Sequence, residues 1–266
     1  MLAADADIAG DAELLTQTVR EAGALALSMF RIEIRQWTKG QSSPVSEADI
    51  AVDELIRKRL QPATSDYGWL SEESADDETR LNKRRVWIVD PIDGTRAYLG
   101  GREDWSISVA LVEDSKPLLA AVFAPATDEF FFAVEGRGAT RNGTAISASA
   151  GTAFDIDRMA GPHFLLNRVR GATSPELKNF KIGSLALRIS RVAQGALDAA
   201  FVGGRSHDWD LAAADLLLRE AGGRLTALNG EVPVYNRRQV THEVLVAAGA
   251  ERHAQLVSHL AQHPAS

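Results

Sequence analysis

The segment Trp87-Ile88-Val89-Asp90-Pro91-Ile92-Asp93-Gly94-Thr95 constrains this chain more than any other. Val86 to Val89 is a continuous apolar run of strand length that ends at Asp90, so a buried strand delivers a carboxylate to the edge of a sheet. Pro91 fixes φ and Gly94 accepts a positive φ, so the chain turns sharply and brings Asp93 round beside Asp90. Two carboxylates held this close repel each other unless one is protonated or a cation lies between them. Oxygen donors select Mg2+, Mn2+ or Ca2+ over zinc. Taken alone, the same segment is also compatible with an acidic turn capped by an aspartate.

The pattern around this segment predicts a mixed α/β chain. Ile8 to Met29 carries Leu14, Leu15, Val19, Ala22, Leu25 and Ala26 at helical spacing, and a polar turn from Thr38 to Pro44 follows. Ser46 reads as the N-cap of a second helix with Asp49 as its acidic partner, and Ile50, Val52, Leu55, Ile56 and Leu60 form its apolar side. Ile107–Val112, Leu118–Phe123 and Phe130–Val134 are strand-length runs joined by short turns, which suggests an antiparallel sheet. Beyond residue 150 helices and strands alternate. A helix spans Ser184–Gln194, a strand Ala199–Val202, and a helix runs from Asp210 to Glu220, stopped by Gly222-Gly223. Strands near Leu225 and at Val244–Ala248 and a last helix from Glu251 to Ala261 complete the chain. The class is α+β or α/β, divided softly near residues 145–155 into units 1–150 and 151–266.

Composition narrows the function. The 266 residues are 45% hydrophobic, enough for a substantial core, and 29 basic against 36 acidic residues leave a net charge of −7. That sign disfavours nucleic acid and anionic membranes as partners. The absence of cysteine excludes disulfides, thiolate metal sites and thiol nucleophiles. Met1 to Gly10 has no basic residue and no apolar run approaches the roughly 20 residues of a membrane span, so a cytoplasmic protein is expected.

Two further acidic clusters accompany Asp90 and Asp93. Glu72 and Glu73 follow the short apolar run at Gly68–Ser71, and Asp208-Trp209-Asp210 opens an Ala-rich helix. Together with Ser43-Pro44-Val45-Ser46-Glu47-Ala48-Asp49, these segments resemble, in order and over about residues 39–223, the inositol monophosphatase superfamily of metal-dependent phosphomonoesterases. The resemblance implies a layered αβαβα sandwich, with an antiparallel sheet in the first half and a smaller mixed sheet in the second. It implies that Glu72, Asp90 and the Ile92 carbonyl bind one Mg2+, that Asp90, Asp93 and Asp210 bind a second, and that Glu72 holds a weaker third, with Mn2+ as a substitute. Asp49 would hydrogen-bond Thr95, and this pair would help activate water. The Gly94 and Thr95 N–H groups would hold phosphate oxygens at a helix start. A small phosphate ester as substrate, lithium sensitivity and a homodimer are also implied.

Substrate signals diverge. Gly203 stands seven residues before Asp210, where animal-type inositol monophosphatases carry a sugar-binding Glu. Arg188, seven before Gly195, resembles the basic residue of the 3'(2'),5'-bisphosphate nucleotidase branch and could meet a second phosphate. Asp93-Gly94-Thr95-Arg96-Ala97-Tyr98 resembles histidinol-phosphate phosphatases instead. The balance favours the bisphosphate nucleotidase, ahead of an inositol-type sugar phosphatase. Among the other residues, the six histidines are expected to be exposed, with His207 the exception for its place three residues before Asp210, and Lys83-Arg84-Arg85 is expected to be a solvated loop. Gly203-Gly204 lacks the Lys-Ser or Lys-Thr of a phosphate loop.

Overall fold

The computed structural model describes residues 2–39, 43–153, 155–170 and 182–262. In chain order the elements are α1 (Leu2–Ser28), β1 (Gln36–Lys39), β2 (Ser43–Ser46), α2 (Glu47–Ala63), β3 (Gly68–Ser71), β4 (Arg85–Asp93), α3 (Thr95–Leu99), β5 (Ser106–Glu113), β6 (Lys116–Ala124), β7 (Glu129–Val134), β8 (Ala139–Arg141) and β9 (Thr144–Ala145). Then come β10 (Met159–Ala160), α4 (His163–Arg170), α5 (Leu185–Ala193), β11 (Ala199–Val202), β12 (Ser206–His207), α6 (Asp208–Glu220), β13 (Gly223–Ala227), β14 (Thr241–His242), β15 (Leu245–Gly249) and α7 (Ala250–Gln262).

Strands β3 to β9 form one seven-stranded sheet in sequence order, antiparallel except for the parallel β3–β4 pair. A mixed four-stranded sheet runs β10-β11-β15-β13. Strand alternation decides what each face buries. From β4, Trp87 and Val89 pack with Val19, Ala22 and Ile56 of α1 and α2, while Val86 and Ile88 point the other way into the cluster of α5 and α6. The second sheet repeats the device: Ala200 and Val202 of β11 face α5 and α6, whereas Ala199 and Phe201 face Leu165, Leu256 and Leu260 of α4 and α7. The result is the αβαβα sandwich. Lying between two sheets, α6 is buried from Leu211 through Leu218, as a helix that is apolar nearly all round must be.

Several expected boundaries move. Helix α1 begins at Leu2, and α6 begins at Asp208, so Asp210 is its third residue. The polar turn after α1 is largely a ribbon in which Gln36–Lys39 pairs with Ser43–Ser46. Residues 40–42 of that turn lie outside the described residues. Arg85 is no solvated loop residue: it opens β4, half-buried, with its guanidinium 2.7 Å from Glu113 and 2.5 Å from the Tyr67 hydroxyl. His242 and His253 are buried, each satisfied by a neighbour. Among the described residues no helix is long and apolar enough to cross a membrane.

Candidate active site

In an unbroken strand, residues three apart face opposite sides. Asp90 pairs with Ser108 and Asp93 with Ser106, so β4 carries one residue more than β5 between these pairs. This bulge, where Pro91 needs no ladder donor, turns both carboxylates to one face. The strand therefore continues to Asp93 rather than ending at Asp90 in a sharp turn. Gly94 follows with φ +91°, and a Cβ there would come 2.9 Å from the backbone nitrogen of Ser184. Only glycine lets the end of β4 meet the start of α5 this closely.

That contact fixes Asp93. Its Oδ2 accepts from Ser184 Oγ and from the Ala186 N–H, both at 2.6 Å. Ser184 in turn caps α5 by accepting from the Leu187 N–H and lies 2.8 Å from Ser106 Oγ. Asp49 and Asp210 are positioned by a shared device. Each is the third residue of its helix and reaches back to the capping residue: Asp49 Oδ2 accepts the Ser46 N–H at 2.8 Å, and Asp210 Oδ2 accepts the His207 N–H at 2.6 Å. Asp49 Oδ1 then accepts from Thr95 Oγ1 at 3.1 Å, as the resemblance implied. The same hydroxyl is 3.1 Å from the Ile92 carbonyl, and its single proton serves one acceptor at a time.

Carboxylate oxygens of Asp90, Asp93 and Asp210 lie within 4.8 Å of one another. Glu72 joins them as a lining residue of a cleft of about 390 Å3 that also includes Pro44, Ile92, Gly94, Thr95, Arg96 and Arg102. Burial and mutual repulsion resist ionisation here. Glu72 is pushed up to about 8 by burial and then by Asp210 and Glu73, with Lys39 opposing. Asp93 is raised to about 6 by burial and Asp210 against the donors of α5, and Asp49 to about 6 by burial. Asp90 lies well above the ordinary carboxylate range, through burial and then Glu72. Among the described residues its buried Oδ1 has no hydrogen-bond partner. A carboxylate oxygen in that position is costly unless a cation takes the missing donor's place. The donor set is all oxygen, so the site fits Mg2+ or Mn2+.

Other partners escaped sequence reading. Asp53 of α2 accepts from the hydroxyls of Ser71 and Ser74 and so holds both ends of the Glu72-Glu73 turn. Lys39 donates to Glu73 at 2.9 Å and to the Glu72 carbonyl. Acid–hydroxyl spacing around Glu72 was the available signal for Asp53; nothing local marks Lys39 or Ser184. His207 is the N-cap of α6, with its ring stacked on Trp209 at 4.6 Å. Arg188 lies apart from the cleft's lining. It is half-buried on α5, donates to the Ile182 carbonyl at 2.8 Å, and is held near Asp93 and Asp104 electrostatically.

Residues 11–265 match the inositol monophosphatase family. An inositol-1-monophosphatase from Rhizobium meliloti is 36% identical over 231 residues, 82% of this chain and 85% of its own. A histidinol-phosphatase from Mycobacterium tuberculosis is 33% identical over 210 residues, covering 75% and 80%. A 3'(2'),5'-bisphosphate nucleotidase from Aggregatibacter actinomycetemcomitans is 29% identical over 234, covering 84% and 86%. Among solved structures, the extragenic suppressor protein suhB of Bartonella henselae superposes with a TM-score of 0.80 at 26% identity, covering 93% of this chain and 97% of that one. With the carboxylates of β4 and α6 gathered as they are, the chain belongs to the inositol monophosphatase family and is a metal-dependent phosphatase.

Proposed function

We propose that the cleft hydrolyses a small phosphomonoester by direct attack of water, and the observation that carries this reading is the buried, donor-less Oδ1 of Asp90 amid three other acids. Glu72, Asp90, Asp93, Asp210 and the Ile92 carbonyl would hold two or three Mg2+ ions, which when bound offset phosphate charge and lower the pKa of water. The protein supplies position and proton handling. Thr95 Oγ1 donates to Asp49 Oδ1 and so presents its lone pairs to the attacking water. Asp49, raised to about 6, is poised to accept a proton near neutrality. The N–H groups of Gly94 and Thr95 would hold the phosphate oxygens. No side chain need become phosphorylated.

For the substrate, we favour a 3'(2'),5'-bisphosphate nucleotide. Arg96 and Arg102 line the cleft, Arg102 paired with Asp104, and Arg188 interacts electrostatically with Asp93, so cationic side chains that could meet a second phosphate stand at and near the cleft. The second reading, an inositol-type or histidinol-type monophosphate, is favoured by the engagement of Arg188 with the Ile182 carbonyl and by the higher identity of those relatives. Phosphate release in Mg2+ from adenosine 3',5'-bisphosphate, inositol 1-phosphate and histidinol phosphate separates them. The bisphosphate should give the highest kcat/KM, and Arg188→Ala should lower that value roughly 10-fold or more, the worth of one charge-assisted hydrogen bond, while changing inositol 1-phosphate much less. Preference for a monophosphate, with equal losses on both, selects the second reading.

A further inference from the structure

Arg80 has no part in the chemistry above, yet its side chain is wholly removed from solvent. Nε and Nη2 take both oxygens of Asp76, at 2.6 and 2.9 Å, while Nη1 donates to Asn236 Oδ1 at 2.6 Å and Nη2 to the Arg237 carbonyl at 3.1 Å. Asn236 adopts φ +55° and donates its backbone N–H to Asp208 Oδ2 at 2.7 Å. His242 Nε2 donates to the other oxygen, Oδ1, also at 2.7 Å. Asp208 itself is the first residue of α6, and its N–H is spent on the Val240 carbonyl at 2.9 Å. The opening turn of α6, which carries Asp210, is thus tied through Asp208 and Asn236 to a buried guanidinium.

The other end of this chain of contacts reaches the start of β3, the strand that leads to Glu72. Arg80 backs directly onto β3: a Cβ placed on Gly68 would lie 3.0 Å from the Cβ of Arg80. Strand β3 ends at Ser71, and Glu72 follows. The contacts Arg80–Asn236–Asp208–His242 therefore connect the strand that places Glu72 with the helix turn that places Asp210. Glu72 and Asp210 line one cleft with Asp90 and Asp93, and acids gathered in one cleft repel each other, so their separation depends on what anchors β3 and the first turn of α6.

We propose that Arg80, Asn236 and His242 are positioning residues that set the affinity of the carboxylate cluster for its divalent cation, by holding Asp210 in place against Glu72, Asp90 and Asp93. The inference rests on the reading of that cluster as a metal site. Groups that orient metal ligands without touching the metal commonly change affinity 10- to 100-fold when removed. A loosened α6 turn lets repulsion carry Asp210 outward in the metal-free protein, and binding must then draw it back.

Calorimetric titration of Mg2+ and Mn2+ into the full-length, EDTA-stripped protein tests this, with thermal unfolding in EDTA recorded in parallel. Asn236→Gly removes the side-chain acceptor of Arg80 Nη1 while keeping a residue that tolerates the left-handed backbone. His242→Leu removes the second donor to Asp208, and His242→Gln retains an N–H near the same place. We expect Asn236→Gly and His242→Leu to raise the dissociation constant about 10-fold or more, and His242→Gln to recover most of it. In the same two variants kcat at saturating Mg2+ should stay within about 3-fold of the parent, the loss appearing as a higher Mg2+ requirement. Lowered thermal stability with unchanged metal affinity in Asn236→Gly and the His242 variants would overturn the proposal and leave the relay a purely structural clamp. Failure of the parent protein to bind either ion would overturn the metal reading itself, and the inference with it.

Discussion

Asp208 and Asp210 stand two residues apart in the first turn of α6, and the protein answers their charges in opposite ways. Asp208 is buried and both of its oxygens are met, by the Asn236 N–H and by His242. Asp210 receives one backbone donor and otherwise faces Asp90, Asp93 and Glu72 across a cleft. The same contrast separates Asp53, with a serine hydroxyl on each oxygen, from Asp90, whose Oδ1 has none. Acids of the first kind hold the structure together. Those of the second kind keep a charge deficit that a cation can fill, at a cost to the metal-free protein.

The contrast can be broken by substitution. Asp208→Ala leaves two buried donors without an acceptor and should destabilise the protein by about 3–5 kcal/mol, with or without Mg2+, in denaturant unfolding. Asp93→Asn should do the reverse. It should lower kcat by at least about 10-fold to 100-fold, since groups one step removed from a metal already cost that much, while the EDTA-treated protein melts at or above the parent temperature. A variant of Asp93 that unfolds like one of Asp208 would erase the distinction.

A smaller effect sharpens it. Asp49 and Asp93 titrate near 6 in the fold and Glu72 near 8, all raised from ordinary values of 3.8 and 4.5. Folding therefore favours their protonated forms, so this contribution to stability is complete below about pH 4 and is lost as pH rises through 6 and then 8. The EDTA-treated protein should melt lower at pH 8.5 than at pH 5.5, and Mg2+ should narrow the gap. Asp215, raised to about 6 by burial and away from the cleft, should preserve part of it. His253, lowered by burial, acts in the opposite sense at the acid end, so the slope is best compared between the parent and Asp93→Asn. A parent no steeper than Asp93→Asn would contradict the assignment.

The sequence made the functional acids more legible than the structural ones. Ser46 with Asp49, and the run from Trp87 to Thr95, carry their geometry locally: a cap three residues from its acid, a proline and a glycine flanking an aspartate. Even there the bulge was hidden, because one extra residue in β4 shows only against the register of β5. The start of α6 was displaced since either aspartate of Asp208-Trp209-Asp210 could open a helix; the buried partners of Asp208 decided it, and they lie 28 and 34 residues away. Arg85 looked like part of a solvated basic run because its partners Glu113 and Tyr67 lie 28 and 18 residues away. Ser184 meets Asp93 across 91 residues, a contact that no spacing rule can announce.

The most direct test is the dependence of phosphate release on a divalent ion. Protein stripped with EDTA should release no phosphate from adenosine 3',5'-bisphosphate or inositol 1-phosphate, and added Mg2+ should restore activity, because four acids crowd into the cleft against burial and mutual repulsion and Asp90 Oδ1 has no donor among the described residues. Full activity in EDTA, with metal content shown to be nil, would contradict the account.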